Sequence, residues 1–422
     1  MSFLRSRTGL IPEFPSPVEH AECVDVVTEE AGLLPPLDQP LRVTTFVQEG
    51  DRVARGAAIA CLRQDPDISL VAPIAGRIGR LSLLPGRKLS EIVVFGEDSE
   101  ETVRHDTSSV ETGVDLRRLL QAAGFWPRLR RRPFGGMPTS REVPSAVFVM
   151  ASDTRPYAPN PQETLKEREA AFERGLAALQ MLAAKRVFLC VSAANPSFTI
   201  VNGTEGLARL STSIRHPQGM AGIRMHHEFP AGFEVPVWEV HADDVADLGE
   251  LLKTGELPML REVRIAGAGL REGKRVRTHP GADLRQLVRR IAAPGPHRIF
   301  SGSHLDGHPA RWLDQRHRQV TVLPTEAPRP RPHWLVAALT ERQDLNPAIP
   351  TAALDQSLGG DIPAIPFIRA LGAGDDETAM DLGLLSLLED DVALADYTLG
   401  ADGRIKRQLR AMLERIRAEH GT

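Results

Sequence analysis

The chain has 422 residues, 42% of them hydrophobic and 25% charged, with a formal net charge of -4. That is an ordinary globular composition, on a length that calls for several domains rather than one core. The mild acidity leaves no bulk positive field to hold nucleic acid, and aromatic residues at 5% offer little surface for base stacking.

Met1 to Pro12 carries Arg5 and Arg7 with no apolar core behind them, so it does not read as a signal peptide. Residues 1–112 read as all-β, with short apolar runs such as Leu41–Val47 and Ile92–Phe95 between Gly, Pro and Asp turns. Within them, Glu49-Gly-Asp-Arg-Val-Ala-Arg-Gly56 and Val71-Ala-Pro-Ile-Ala-Gly76 each read as strand, Gly-centred turn, strand. The pair resembles the two half-motifs of biotinyl- and lipoyl-type barrel-sandwich domains. The stretch between them, Cys61–Leu70, contains no lysine to carry such a group, so the unit reads as scaffold.

From Asp115 the period changes. Asp115–Ala123 reads as a short amphipathic helix and Glu142–Ala151 as a buried strand. Asn160 reads as an N-cap before Pro161, and Leu165, Phe172, Leu176, Leu179 and Leu182 then recur at helical spacing. Arg186–Val191 is the next strand, which makes a βαβ unit and hence a parallel sheet. Asn195 to Gly232 reads as irregular and Gly-rich. Val235–Val240 (strand) and Asp243–Lys253 (helix) follow. Glu262–Ala266, Arg275–Thr278 and the helix Asp283–Ile291 suggest a smaller α+β unit. Pro324 to Pro332 reads as an extended linker. The remainder reads as helical, with Ile405, Leu409, Met412, Leu413 and Ile416 on one face of Arg404–Ala418. No run approaches the ~18–20 apolar residues needed to cross a bilayer. The three cysteines, Cys23, Cys61 and Cys190, form no CxxC pair, which fits a reducing compartment and neither a disulfide framework nor a metal site.

Several motifs have competing readings. Gly267-Ala-Gly269 with Gly273 follows a strand but leads into another strand, not a helix that could face a pyrophosphate, so it reads as a turn. His216, His226 and His227, or His304 and His308, lack a zinc ligand pattern and read as ordinary hydrogen-bonding groups. Asp153 has no recognisable partner, and no catalytic constellation is visible. The basic run Arg128 and Arg130–Arg132, beside Trp126 and Phe134, reads as a solvated face, with acidic lipid or a partner as the alternative. Arg215, His216, Met220 and Gly222, with His226 beyond them, are candidates to touch a ligand or partner at the sheet's carboxyl edge. The competing reading is a turn that needs Gly backbone freedom.

Longer stretches carry a family resemblance. Leu120–Pro133, Phe148–Pro161, His216-Pro-Gln-Gly-Met-Ala-Gly222, Leu251–Leu257, Ile299–Gly307, Arg369–Asp375 and Leu382–Leu394 are similar, in the same order, to the NqrA subunit of the Na⁺-translocating NADH:quinone oxidoreductase family. The resemblance implies an α+β multidomain fold: a β barrel-sandwich hybrid (1–112), a Rossmann-like α/β domain (113–258), a small β-grasp, SLBB-like domain (259–324) and a linker with a helical C-terminal tail (325–422). It implies a peripheral subunit on the cytoplasmic face of the membrane that binds no cofactor itself and has no complete catalytic site. It further implies a part in quinone binding and assembly, with Arg215, His216, Met220, Gly222 and His226 as candidate contacts. Its partners would be the flavin-bearing membrane subunits and the NADH-oxidising subunit. The complex would use NADH, flavins, Fe–S and ubiquinone. Relative to the family, the segment Thr325–Ala348 is shortened and the tail reads Asp396-Tyr-Thr-Leu-Gly-Ala-Asp-Gly403 in place of a cysteine motif. These departures keep open an accessory subunit of a different electron-transfer complex. The family is also similar to the NADH-binding flavoprotein subunit of respiratory complex I, which keeps open a stand-alone flavin- or NADH-dependent reductase.

Overall fold

A computed structural model of the chain describes residues 8–183, 185–194, 206–325 and 351–420. These residues form several sheets of mixed α/β structure followed by a helical region. After β1 (Glu19–Asp25) come β2 (Glu30–Leu33), β3 (Val43–Thr45), β4 (Arg52–Val53), β5 (Ala58–Leu62), β6 (Ser69–Val71), β7 (Gly76–Leu84) and β8 (Lys88–Gly96). They pair antiparallel in two sheets, β2-β8-β7-β4 and β3-β5-β6. Ile59, Ile68, Ile78 and Ile92 are buried in their common core. β1 does not join them. It pairs parallel with the distant strand Gly273–Thr278, so the span drawn for the N-terminal unit contributes to two separate sheet systems.

The second unit opens with α1 (Gly113–Ala122), whose N-cap Thr112 and Asp115 form a capping box. Then come β9 (Arg130–Arg132), β10 (Ala146–Ala151), α2 (Pro161–Thr164), α3 (Glu169–Leu182), β11 (Arg186–Ser192), β12 (Leu207–Thr212), α4 (Ala221–Glu228), β13 (Val237–His241) and α5 (Ala242–Thr254). The sheet order is β12-β11-β10-β13-β9, parallel except for β9. β10 is buried along its whole length, which explains its uninterrupted apolar sequence.

Three readings of this unit need correction. The helix expected to run on from Asn160 is broken after Thr164. Asn160 caps α2 as expected, but the chain turns before Glu169, where Arg168 leaves helical geometry and pairs with Asp247 of α5 at 2.5 Å. The Gly-rich stretch is regular where it is described: it holds the edge strand β12 and the helix α4, while residues 195–205 lie outside the described residues. The basic run is not a solvated face. Arg130–Arg132 form the antiparallel edge strand β9, and Arg128 and Arg132 are buried against carboxylates.

The six-stranded sheet, β1-β15-β14-β18-β16-β17, combines β1 with β14 (Arg261–Ala266), β15 (Gly273–Thr278), β16 (His297–Ser301), β17 (His308–Pro309) and β18 (Gln319–Pro324). Helix α6 (Leu284–Val288) packs Leu284, Leu287 and Val288 into its apolar core. Gly267–Gly273 is the connection between the antiparallel strands β14 and β15. The linker expected at Pro324 to Pro332 lies outside the described residues from 326 onward, as does the shortened segment.

The helical region comprises α7 (Ala352–Ser357), α8 (Ala364–Ala373), α9 (Asp376–Asp381), α10 (Ala393–Thr398) and α11 (Arg404–His420). The five apolar residues read on α11 are all buried, each stabilising by about 1.5–3 kcal/mol. Their core extends to Phe134, Met220 and Ile223, so the helical region packs on the α/β unit rather than hanging from it.

Candidate functional site

In the parallel sheet the chain runs from β10 outward to β11 and β12, then returns to place β13 on the other side of β10. The gap between the carboxyl ends of β10 and β13 is therefore a topological switch point, where open α/β sheets bind ligands. A cavity of about 530 Å³ opens there, lined by Met150, Ser152 and Asp153 after β10 and by Glu239, Val240 and His241 of β13. Gly219, Met220 and Ala221 at the start of α4 form another side. The far walls come from distant sequence: Asp306 to Arg318 from the six-stranded sheet and its loops, Glu389, Asp390 and residues of α11 from the helical region, and Pro36–Asp38.

Nine carboxylates and eight Lys or Arg side chains line this chamber, so its charges nearly cancel. Most cancel in pairs. Arg128 lies 3.2 Å from Asp244 and 2.5 Å from Asp247, and Arg318 lies 2.8 Å from Asp244 and 3.5 Å from Asp243. Arg155 joins Asp153 (2.6 Å) to Asp306 (3.1 Å), and Arg130 joins Asp38 (3.1 Å) to Asp390 (2.9 Å). Burial alone would push these carboxyls up. The adjacent guanidiniums outweigh it and hold Asp38, Asp244, Asp306 and Asp390 below the usual carboxylate range. Asp391 behind them goes the other way: burial, with the negative Asp390 and Glu239 nearby, pushes it up to about 7 despite Arg132.

Imidazoles supply further polar groups of the wall. His241 ends β13 and caps α5: the Asp243 N–H donates to its Nδ1 at 3.2 Å. Burial first, then Arg318, keeps this ring neutral. His317 Nδ1 lies 2.9 Å from Ser301 Oγ, and its ring is 5.6 Å from that of His308. His308 and Asp314 are shared with a second cavity of about 380 Å³, as are Pro36 and Leu37. That second cavity is a largely apolar groove walled by Leu33, Leu34, Pro35, Val71, Met259 and Trp312 among others.

Of the five candidate contacts read from sequence, Met220 lines the chamber. The others lie behind it. Arg215 donates to the Gly9 carbonyl at 3.2 Å. His216 is buried, its Nδ1 3.2 Å from Thr154 Oγ1, which also accepts the Gly219 N–H, so the ring braces the loop. Burial pushes it down to about 4. The Gly222 N–H donates to Asp391 Oδ1 at 3.0 Å, and a Cβ there would come within 2.3 Å of the same carboxylate. His226 packs against Gly383 of the helical region, and burial lowers its pKa. The loop thus gives one residue to the chamber and several to the joint with the helical region. Asp153, isolated in sequence, is held by Arg155 two residues on. His304 stacks on Phe14 with ring centroids 3.7 Å apart, and no cluster of three or more potential metal ligands occurs among the described residues. Sequence reasoning missed His241. The available signal was its position, the last residue of a strand just before the acidic helix start Ala242-Asp-Asp244.

Comparison with known proteins identifies the architecture. The family model described as "NqrA second alpha/beta domain" matches residues 112–257. The NqrA subunit of the Na(+)-translocating NADH-quinone reductase of Pseudomonas aeruginosa strain UCBPP-PA14 is 31% identical over 410 residues, covering 90% of this chain and 91% of that protein. Its counterpart in Saccharophagus degradans is 30% identical over 410 residues, and that of Actinobacillus pleuropneumoniae serotype 5b is 29% identical over 411, with the same coverage. A near full-length match spanning all the units described, at this identity, places the chain in the NqrA family, one of the subunits of the Na(+)-translocating NADH-quinone reductase.

Proposed function

We propose that this chain, as the NqrA subunit of a Na⁺-translocating NADH-quinone reductase, binds the quinone headgroup in the switch-point chamber and helps assemble the complex. One observation carries the reading: a polar, charge-balanced chamber runs into an apolar groove through the shared wall residues Pro36, Leu37, His308 and Asp314. A neutral polar ring with an apolar tail matches that sequence of surfaces, since most charges of the wall are already paired and the rest nearly balance. Met220 contacts the ligand directly, while Arg215, His216, Gly222 and His226 shape the loop that carries it. The NADH, flavin and Fe–S chemistry belongs to the partners, the flavin-bearing membrane subunits and the NADH-oxidising subunit. This chain sits peripherally on the cytoplasmic face. In support, no helix among the described residues is long and apolar enough to cross a membrane.

The units correspond, in this reading, to a barrel-sandwich hybrid, a Rossmann-like domain, a β-grasp, SLBB-like domain and a helical tail, with boundaries at residues 112, 258 and 324. The family match to 112–257 supports the second of these.

Leu37 tests the ligand reading without disturbing the core, because it is 73% exposed yet lines both cavities. Calorimetric titration of the purified full chain with a short-chain, water-soluble 1,4-benzoquinone is expected to show saturable binding. Leu37→Arg should weaken it tenfold or more, a change of about 1.4 kcal/mol, with unaltered circular dichroism. Absence of saturable binding by the wild type would refute the proposal.

A further inference from the structure

We infer that His241 is the hydrogen-bond donor that reads a carbonyl oxygen of the ligand in the switch-point chamber. The inference rests on the quinone reading above and assigns the residue that decides which headgroups the site accepts.

One contact sets the tautomer. A backbone N–H can only donate, so the Asp243 N–H at 3.2 Å fixes Nδ1 of His241 as an acceptor. In a neutral ring the one proton is then on Nε2. No hydrogen bond to Nε2 is made among the described residues, while the side chain lines the chamber. Neutrality follows from the surroundings: the ring is enclosed and faces the cations Arg318, Arg155 and Arg261 against the carboxylate of Asp244. The Asp243 carboxylate, 3.6 Å from Nδ1, is engaged by Thr164 and Arg318.

Most other donors of the wall are committed, and Arg316 Nη2 and His308 Nδ1, which lack a hydrogen-bond partner among the described residues, are buried away from the open space. The guanidiniums of Arg128, Arg130, Arg155 and Arg318 each lie between two carboxylates. Lys406 donates to the Leu305 carbonyl at 3.2 Å. His241 therefore offers an uncharged donor at the switch point, and its partner is an acceptor such as a ring carbonyl. Its position is fixed from behind, because the same ring caps α5 and cannot rotate without losing the Asp243 N–H.

Two substitutions separate the donor from the cap. In His241→Asn the side-chain oxygen takes the place of Nδ1 and asparagine is a good N-cap, but nothing reaches the place of Nε2. In His241→Gln the amide nitrogen reaches that place and keeps a donor, at the expense of the cap. Titration with the same short-chain benzoquinone, alongside thermal melts, is expected to give opposite results. Asn should melt near the wild type and bind at least fivefold more weakly. Gln should melt lower and bind within about twofold of the wild type, a gap that the fivefold loss clearly exceeds. Wild-type binding with an equal affinity in His241→Asn would overturn this assignment alone. If the wild type binds no quinone, both this assignment and the quinone reading fall.

Discussion

At the scale of single residues, buried imidazoles set how the molecule answers to acid. His279 joins two units through its neutral form: the Thr28 N–H points to Nε2 at 3.3 Å, and Nδ1 donates to the Pro280 carbonyl at 2.9 Å. Protonation of Nε2 would set two donors against each other, and burial holds this ring, like His216, at about 4. The unfolded chain takes up these protons near pH 6.5. Between about 6.5 and 4 the unfolded state thus binds more protons than the folded one. Stability fully present above that window is lost as the pH falls through it, by at most about 3 kcal/mol per ring. Asp391, pushed up to about 7, works in the opposite sense, stabilising the fold as the pH falls. The informative quantity is therefore a difference. His279→Gln should melt below the wild type at pH 7.5, with the gap narrowing steadily towards pH 4. A gap independent of pH would show that the imidazole contributes by shape alone.

At the scale of elements, α3 and α5 cross so closely that each requires a glycine. A Cβ on Gly175 would lie 1.9 Å from the Val245 carbonyl oxygen, and one on Gly249 would lie 1.7 Å from that of Ala171. Neither glycine has an unusual backbone angle, so space alone explains them. Gly175→Ala or Gly249→Ala, which would gain helix propensity on an isolated helix, is expected here to destabilise by about 1–3 kcal/mol. Urea unfolding monitored by circular dichroism measures it, and a stabilised variant would mean that the helices separate readily. The same pair shows what sequence can disclose. Apolar spacing gave α3, α5 and α11, because each presents one stripe to a core. It ran α2 and α3 together, because Leu165 keeps the spacing while the backbone turns to bring Arg168 to Asp247. It read β9 as a charged surface, because the carboxylates that neutralise Arg130 and Arg132 come from residues 38, 239, 390 and 391. The chamber was legible only at its near edge, through the Gly-rich loop at Met220. Its remaining walls meet by tertiary packing alone.

At the scale of the whole molecule, a buried carboxylate helps to fasten the helical region to the α/β unit. Asp391 accepts the Gly222 N–H at 3.0 Å and the Leu388 N–H at 2.8 Å, and lies 3.2 Å from the Arg132 guanidinium. Arg132 is 0% exposed and also reaches Glu239 at 3.0 Å and the Ser386 carbonyl at 3.2 Å. Such a group is worth little against an apolar replacement of the whole cluster, but removing one member strands the rest without water. Asp391→Ala would orphan two backbone donors and leave Arg132 with Glu239 as its one close carboxylate, which points to a loss of about 3–5 kcal/mol. The loss should also be local in its consequences. Asp390, next in the chain, pairs with Arg130 in the chamber wall, so a loosened joint should weaken quinone binding together with stability. Hydrogen exchange of the variant should rise first in α10 and α11 and at Gly222, with the six-stranded sheet still protected. Uniformly faster exchange would mean that the units unfold together. A loss under about 1 kcal/mol would assign the docking to the apolar contacts of Phe134, Met220 and Ile223, each able to contribute about 1.5–3 kcal/mol.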